Sequence, residues 1–159
     1  MVDVAAGHGL LAYTMLLLDD TSPGAICVDV RKPPSAGKLE AILVQRWPRL
    51  SGRVGYLEQP FSSLELGSDD LVVCAPGCGA LTDEVLGRAA DARARVAVLP
   101  CCHDLREADR GELDGWMNGE MAIDAVRALC LRARGYRIRT QQIAGSITPK
   151  NRLLLGEPL

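Results

Sequence analysis

A glycine-rich turn opens the chain, where Asp3-Val4-Ala5-Ala6-Gly7-His8-Gly9 precedes the apolar run 10–18. A strand, a glycine turn and a helix in this order bring bare backbone N–H groups and a helix N-terminus to one point. Such a turn suits a nucleotide-like ligand held at close backbone approach. Asp29 follows Gly9 by twenty residues. At that spacing an acid at the end of the second strand accepts hydrogen bonds from ribose hydroxyls.

The spacing alone also permits a dinucleotide, but the turn lacks the Gly-x-Gly-x-x-Gly fingerprint because Leu10-Leu11-Ala12 follows Gly9. The turn instead resembles the first motif of class I S-adenosylmethionine-dependent methyltransferases, acid-x-Gly-x-Gly-x-Gly, with Ala5 replacing the first glycine. That resemblance implies S-adenosylmethionine as the cofactor, with its methionine and sugar parts against the turn and its ribose on the acid of the second strand. The implied cofactor residues in this motif are Asp3, Ala5, Gly7, Gly9 and Asp29.

Two cysteine motifs strengthen the resemblance. Cys78-Gly79-Ala80-Leu81-Thr82-Asp83 and Pro100-Cys101-Cys102-His103 are similar to the Cys-Gly-x-x-Thr-Asp and Cys-Cys-His motifs found together in one branch of these methyltransferases. The branch includes tRNA 2′-O-methyltransferases that act on the acceptor stem and relatives of the glutathione S-transferase C-terminal-domain-containing protein. The branch commonly has Lys-His, or another residue followed by His, before the first cysteine motif. This chain has Ala75-Pro76 and Gly77 there, so a catalytic role of that pair does not transfer.

The elements that must position these motifs alternate between strands and helices along the whole chain. Strands are predicted before the glycine turn and over 25–30, 53–57, 70–75, 95–99, 136–143 and 152–155, and helices over 10–18, 35–47, from Thr82 to about 94, and 119–134. We expect a Pro-Gly turn after the fourth strand, Thr82 as the N-cap of the next helix, Pro100 as the end of the fifth strand, and Gly135 as a C-cap.

This alternation predicts an α/β fold with a mostly parallel sheet. With the resemblance, we expect a Rossmann-like methyltransferase sheet of about seven strands, with helices on both faces and an antiparallel strand near the C-terminus. The sequence predicts one domain over residues 1–159. Because at most four residues precede the turn, we also expect the first strand to be cut short. The resemblance implies that helices upstream of this strand are missing as well.

Ligands of such sheets bind beyond the carboxyl ends of the strands. The unusual residues of this chain collect there, and the predicted cofactor set therefore extends to Gln59, Phe61 and Ala75. On the acceptor side we place Cys78, Cys102 and His103. His103 is the candidate general base and Asp104 its orienting carboxylate; the alternative is a histidine that caps the following helix.

Oxygen methylation is the simplest reaction for this set, because a methyl sulfonium is already activated and the protein must mainly align the acceptor and remove one proton. No Asn/Asp-Pro-Pro-aromatic turn follows the fourth strand, which argues against methylation of exocyclic base amines. A further alternative is cysteine-assisted C5 methylation of a pyrimidine, in which a thiolate adds to C6. The segment Ala75-Pro76-Gly77-Cys78 loosely resembles the Pro-Cys turn of RNA 5-methylcytosine methyltransferases, but the inserted Gly77 breaks the match.

The six cysteines allow two other interpretations. Each one can be a buried core residue. Cys74, Cys78, Cys101, Cys102 and His103 can also form a metal site, in a binding module that retains the methyltransferase fold without turnover. Adjacent cysteines rarely both ligate one zinc without a strained loop, and no Cys-x-x-Cys knuckle is present. We therefore predict no metal site.

The distribution of charged residues bears on which partner the chain binds. The formal net charge is −2, which predicts neither a nucleic-acid coat nor a membrane surface. Residues 119–152 nevertheless hold seven basic against two acidic side chains. This segment suits RNA, and the alternative is a solvated helix face. No secretory signal or membrane span is predicted, so we expect a cytoplasmic enzyme with an RNA acceptor.

Overall fold

The computed structural model describes residues 1–159, which divide into two compact units, 1–65 and 66–159. The first unit contains three strands and two helices. In chain order they are β1 (Val2–Val4), α1 (Leu10–Leu18), β2 (Ala25–Asp29), α2 (Ala36–Arg46) and β3 (Val54–Glu58). The strands are parallel in the order β3-β2-β1. Apolar side chains of α1 pack against β2 around buried Tyr13, Leu16 and Cys27.

The second unit contains four strands and two helices. They are β4 (Leu71–Cys78), α3 (Ala80–Asp91), β5 (Arg95–Cys102), α4 (Gly119–Ala133), β6 (Tyr136–Gln142) and β7 (Arg152–Pro158). The strand order is β4-β5-β7-β6, with β4 parallel to β5 and β7 antiparallel to both of its neighbours. The predicted fold class is thus confirmed: the two units together contain seven strands, which are mostly parallel, with one antiparallel strand near the C-terminus.

Two strand ends differ from the prediction. β4 continues through Pro76 and Gly77 to Cys78, and β5 continues through Pro100 to Cys102. The predicted Pro-Gly turn and the stop at Pro100 are therefore wrong. Gly77 and Pro100 are opposite each other where the β4–β5 register shifts. An irregular pairing tolerates proline, since a missing N–H costs no regular ladder bond there.

The start of α3 also differs. Gly79, with φ 51°, is the N-cap, and Thr82 lies inside the helix. Thr82 is fully buried, and its hydroxyl has no hydrogen-bond partner. Its Oγ1 would lie 2.7 Å from a Cβ added at Gly77. Close packing of α3 on β4 therefore requires glycine at position 77 and overrides the capping preference of threonine.

The two C-terminal strands close over the core of the second unit. Tyr136 is buried, and its single hydroxyl proton is shared between the carbonyl oxygens of Ala89 at 3.0 Å and Ala94 at 2.8 Å. A Cβ on Gly156 would lie 2.6 Å from Leu131 and 3.1 Å from Tyr136.

None of the helices has the length and apolar composition that a membrane span requires.

We predict that Gly156→Ala lowers the free energy of unfolding by roughly 1–3 kcal/mol, because the added methyl overpacks a closed core. Urea denaturation measures the loss. Gly87→Ala in α3 is the matched control, since a Cβ there meets nothing within 4 Å and alanine favours a helix. An equal loss in both variants would contradict the packing at Gly156.

Candidate functional site

Hydrogen bonds to the Gly7 peptide hold the glycine turn in the first unit. The Gly7 N–H donates to Asp29 Oδ2 at 2.9 Å, and the Tyr56 hydroxyl donates to the Gly7 carbonyl at 2.9 Å. Asp29 ends β2 and Tyr56 lies in β3. The turn is therefore tied to both neighbouring strands. Tyr56 was not predicted as a site residue, because the sequence marked it only as part of a strand.

The backbone of the turn explains its glycines. Gly7 has φ 52° and Gly9 has φ 79°, and this left-handed region favours glycine. A Cβ on Gly9 would also lie 2.9 Å from the Cys27 sulfur. Ala5 has φ 55°, so the chain adopts a glycine conformation where the motif it resembles has glycine. Residues 5, 7 and 9 therefore share the left-handed backbone region although position 5 is alanine.

Asp3 is enclosed within the unit. Its residue is 2% exposed, and Oδ2 accepts a hydrogen bond from the Ala12 N–H in the first turn of α1 at 3.3 Å. Burial raises the pKa of Asp3 to about 6; the Ala12 hydrogen bond opposes this shift, and the Asp29 charge adds to it. Asp3 therefore braces α1 against β1, and this geometry supports that role better than the predicted direct contact with a ligand.

The remaining predicted cofactor residues lie in or after strands β3 and β4. The Gln59 N–H donates to the Asp29 carbonyl at 2.9 Å, which places Gln59 beside the end of β2. Phe61 is buried in a short 3-10 turn, Phe61–Ser63. Ala75 is exposed and belongs to β4 of the second unit. Contact of these three residues with a ligand remains a prediction.

In the second unit, His103 is enclosed. Its side chain is 0% exposed, and Nε2 lies 2.8 Å from Asp124 Oδ1. Two arginines also donate to Asp124, so its carboxylate acts as the acceptor and Nε2 carries the proton. Nδ1 is buried and has no hydrogen-bond partner. In this arrangement neither ring nitrogen is open to an acceptor, so the geometry does not support His103 as the general base.

The carboxylate that pairs with His103 also differs from the prediction. Asp104 Oδ1 accepts hydrogen bonds from the backbone N–H groups of Arg106 at 2.9 Å and Glu107 at 3.3 Å. It stabilises the loop after β5 and makes no bond to His103. Asp124, which lies in α4, orients the imidazole instead. The assignment of Asp104 as the orienting carboxylate is therefore wrong.

A buried arginine joins α4 to α3. Arg127 donates to Asp83 through Nε and Nη2, each at 2.7 Å, and to Asp124 through Nη1 at 3.3 Å. Burial by itself lowers the pKa of Arg127, but the hydrogen bonds and charge of Asp83, together with Asp124, raise it above its ordinary value. The guanidinium therefore stays charged inside the unit. The sequence signal for this group was weak, because Asp124 and Arg127 are simply i, i+3 neighbours on a helix.

The predicted acceptor cysteines end two neighbouring strands. Cys78 and Cys102 are exposed and are Cα partners in the parallel β4–β5 register. The structure thus brings Cys78 and Cys102 together, and their role on the acceptor side stays a prediction. The side chain of His103, the residue after Cys102, is by contrast shielded from solvent.

Ion pairs neutralise much of the basic segment. Five of its seven basic side chains contact a carboxylate: Arg127, Arg134, Arg137, Lys150 and Arg152. Arg132 and Arg139 make no ion pair. The positive charge that remains for a phosphate backbone is therefore smaller than the sequence count implies.

Comparison with solved structures identifies the fold. The antibiotic-resistance methyltransferase Kmr is 18% identical, with a TM-score of 0.55 over 99% of this chain and 86% of Kmr. TrmK of M. capricolum, in complex with S-adenosyl-homocysteine, is 13% identical, with a TM-score of 0.55 over 98% of this chain and 59% of TrmK. NcsB1, an O-methyltransferase from neocarzinostatin biosynthesis in complex with S-adenosyl-homocysteine, is 18% identical, with a TM-score of 0.59 over 98% of this chain and 48% of NcsB1.

These similarities show that the chain has the fold of S-adenosylmethionine-dependent methyltransferases. The chain spans most of Kmr but only about half of NcsB1. No protein-family model matches the sequence, and no curated protein matches it. The narrower resemblance through the two cysteine motifs therefore stays a prediction.

We predict that Asp3→Asn stabilises the protein at pH 7 by roughly 2 kcal/mol, because burial disfavours the charged carboxylate. The folded pKa of about 6 exceeds the ordinary value of 3.8. The native state thus binds more protons between these values, and the contribution of Asp3 to stability falls as pH rises through them. Urea denaturation from pH 4 to 7 should show the gap between variant and wild type widening. A constant gap would contradict the raised pKa.

Arg127→Gln should lower the free energy of unfolding by roughly 3 kcal/mol, because it removes the buried guanidinium that links half-exposed Asp83 to Asp124, whose side chain is 14% exposed. Arg137→Gln is the control. Its pair with Glu157 spans 3.4 Å with both side chains more than half exposed, so its loss should cost less than about 1 kcal/mol. Thermal unfolding compares the two. Similar shifts would show that Arg127 is no more important than a surface charge.

Proposed function

We propose that this protein is an S-adenosylmethionine-dependent methyltransferase that binds its cofactor at the glycine turn of the first unit. The observation that carries the proposal is the hydrogen bond from Gly7 N–H to Asp29, within the same fold as the methyltransferases above. It fixes a left-handed glycine turn, the start of a helix and an acid at the end of β2 in one cluster. Asp29 Oδ1 has only a long bond, 3.5 Å from the Arg31 N–H, and therefore retains capacity to accept from a ribose hydroxyl.

The residues of this chain bind the cofactor and orient it toward the acceptor. The turn brings backbone close to the ligand because Gly7 and Gly9 lack side chains, while Tyr56 keeps the Gly7 carbonyl occupied. Bound S-adenosylmethionine supplies an activated methyl group, so alignment of the acceptor contributes most of the remaining catalysis. Because Asp124 encloses His103, we propose that His103 positions α4 against the end of β5. A group other than His103 then removes the acceptor proton.

For the acceptor we propose RNA, methylated on oxygen. Arg132 and Arg139 are the basic side chains of residues 119–152 without an ion pair, and they are available to phosphate groups. NcsB1 is an O-methyltransferase, which supports oxygen as a reaction type that this fold accommodates. Cysteine-assisted C5 methylation has less support, because the Cys78 sulfur faces another cysteine sulfur instead of a base.

A second candidate function is a binding module that keeps the fold and the cofactor turn without turnover. The enclosed His103 favours it, since no free base is supplied by the residue that the sequence selected. The two candidates share cofactor binding and differ in methyl transfer.

We predict that calorimetric titration shows saturable binding of S-adenosylhomocysteine, and that Asp29→Asn weakens it at least tenfold because one acceptor oxygen and the charge are lost. Glu65→Gln is the matched control. It makes the same chemical change at an exposed residue of the same unit and should leave the affinity unchanged.

No binding by folded wild-type protein would contradict the cofactor site. Incubation with tritiated S-adenosylmethionine then separates the two candidates. Tritium in the RNA fraction supports the proposed acceptor, tritium in the protein or metabolite fractions overturns RNA, and binding without any transfer supports the module.

A further inference from the structure

Three cysteine sulfurs converge where β4 and β5 end in the second unit. The Cys78 and Cys101 sulfurs are 2.9 Å apart, and the Cys101 and Cys102 sulfurs are 3.4 Å apart. All three sulfur atoms lie within 4.8 Å of one another. Cys130, in α4, is outside this group. We call Cys78, Cys101 and Cys102 the thiol cluster.

The irregular strand pairing brings adjacent cysteines to one side. In a regular strand, neighbouring side chains point to opposite faces, yet Cys101 and Cys102 present their sulfurs to each other. The β4–β5 register shifts between Cys74 and Gly77 and again between Gly77 and Cys78. This local geometry removes the objection, raised from the sequence, that adjacent cysteines need a strained loop to share one ion.

The spacing of the sulfurs is near that of a shared metal site. Thiolates bind zinc at about 2.3 Å, so two of them on one tetrahedral ion lie roughly 3.8 Å apart. The Cys101–Cys102 pair is close to that value, and the Cys78–Cys101 pair needs to open by about 1 Å, which a side-chain rotation provides. One ion can therefore contact all three sulfurs without a change in the strands.

The donor set and its exposure define the class of ion. The cluster contains only sulfur donors, which select soft ions such as Cu⁺ and Zn²⁺ and not the oxygen-seeking Mg²⁺. Cys78 and Cys102 are exposed and Cys101 is partly buried, so an ion reaches the cluster from solvent and keeps one coordination position open. Burial, with hydrogen bonds to the neighbouring sulfurs, raises the pKa of Cys101 to about 12. A bound ion must therefore displace protons from the thiols.

We propose that Cys78, Cys101 and Cys102 form a three-thiolate site for one soft cation, Zn²⁺ or Cu⁺. This site goes beyond the proposed methyl transfer and does not depend on it. Binding forms three metal–sulfur bonds and releases the thiol protons to solvent, with no change of oxidation state.

The test is a metal titration of the reduced full chain. Competition with a chromogenic chelator should give one equivalent of bound Zn²⁺, anaerobic Cu⁺ should compete for the same site, and Mg²⁺ should not. Cys101→Ser should weaken Zn²⁺ binding at least tenfold, because it replaces the central ligand with a poor one. Cys130→Ser, which changes an exposed cysteine outside the cluster, should leave the affinity unchanged.

Alkylation of the wild-type protein provides a measurement that needs no variant. Added Zn²⁺ should slow the labelling of Cys78, Cys101 and Cys102 by iodoacetamide and leave the labelling of Cys130 unchanged, as mass spectrometry of the peptides reports. Absence of Zn²⁺ and Cu⁺ binding overturns the proposal. So does an equal loss in the Cys130 variant, or a Cys78–Cys101 disulfide that persists under reducing conditions.

Discussion

The hydrogen bond from the Gly7 N–H to the Asp29 carboxylate is the contact on which the candidate cofactor site depends. Ala5, Gly7 and Gly9 are left-handed, a conformation that is strained for alanine and accessible to glycine. Asp29 fixes the turn from β2 and Tyr56 fixes it from β3. Buried Asp3 supports the first turn of the following helix. The same carboxylate that shapes the turn is thus the group we propose for ribose.

The second unit uses buried charge for a comparable purpose. Arg127 links Asp83 of α3 to Asp124 of α4, and Asp124 in turn holds His103 at the end of β5. This chain of contacts anchors the segment that follows the thiol cluster. Removal of Arg127 is costly because Asp124 and His103, which are largely buried, remain in place. His103 is therefore better understood as part of this framework than as a group that reacts with an acceptor.

The order of strands and helices could be predicted from the sequence because apolar runs alternate along the chain with glycine, proline or polar residues that separate them. The bounds of α1, for example, agree with its apolar run, and Gly135 follows α4 with φ 84° as expected. Pro76 and Pro100 misled the prediction because their tolerance depends on an irregular pairing between two strands. Thr82 misled it because tertiary packing at Gly77 outweighs local capping. The partner of His103 lies 21 residues away in another element, so adjacency wrongly favoured Asp104.

The most direct test of the central claim is to follow backbone amides by ¹H–¹⁵N NMR during a titration with S-adenosylhomocysteine. We predict that the largest shifts of the first unit occur at Gly7, His8 and Gly9 and at the residues around Asp29, with little change in α2. Binding that leaves the Gly7 and Gly9 amides unchanged would contradict the assignment of the glycine turn as the cofactor site.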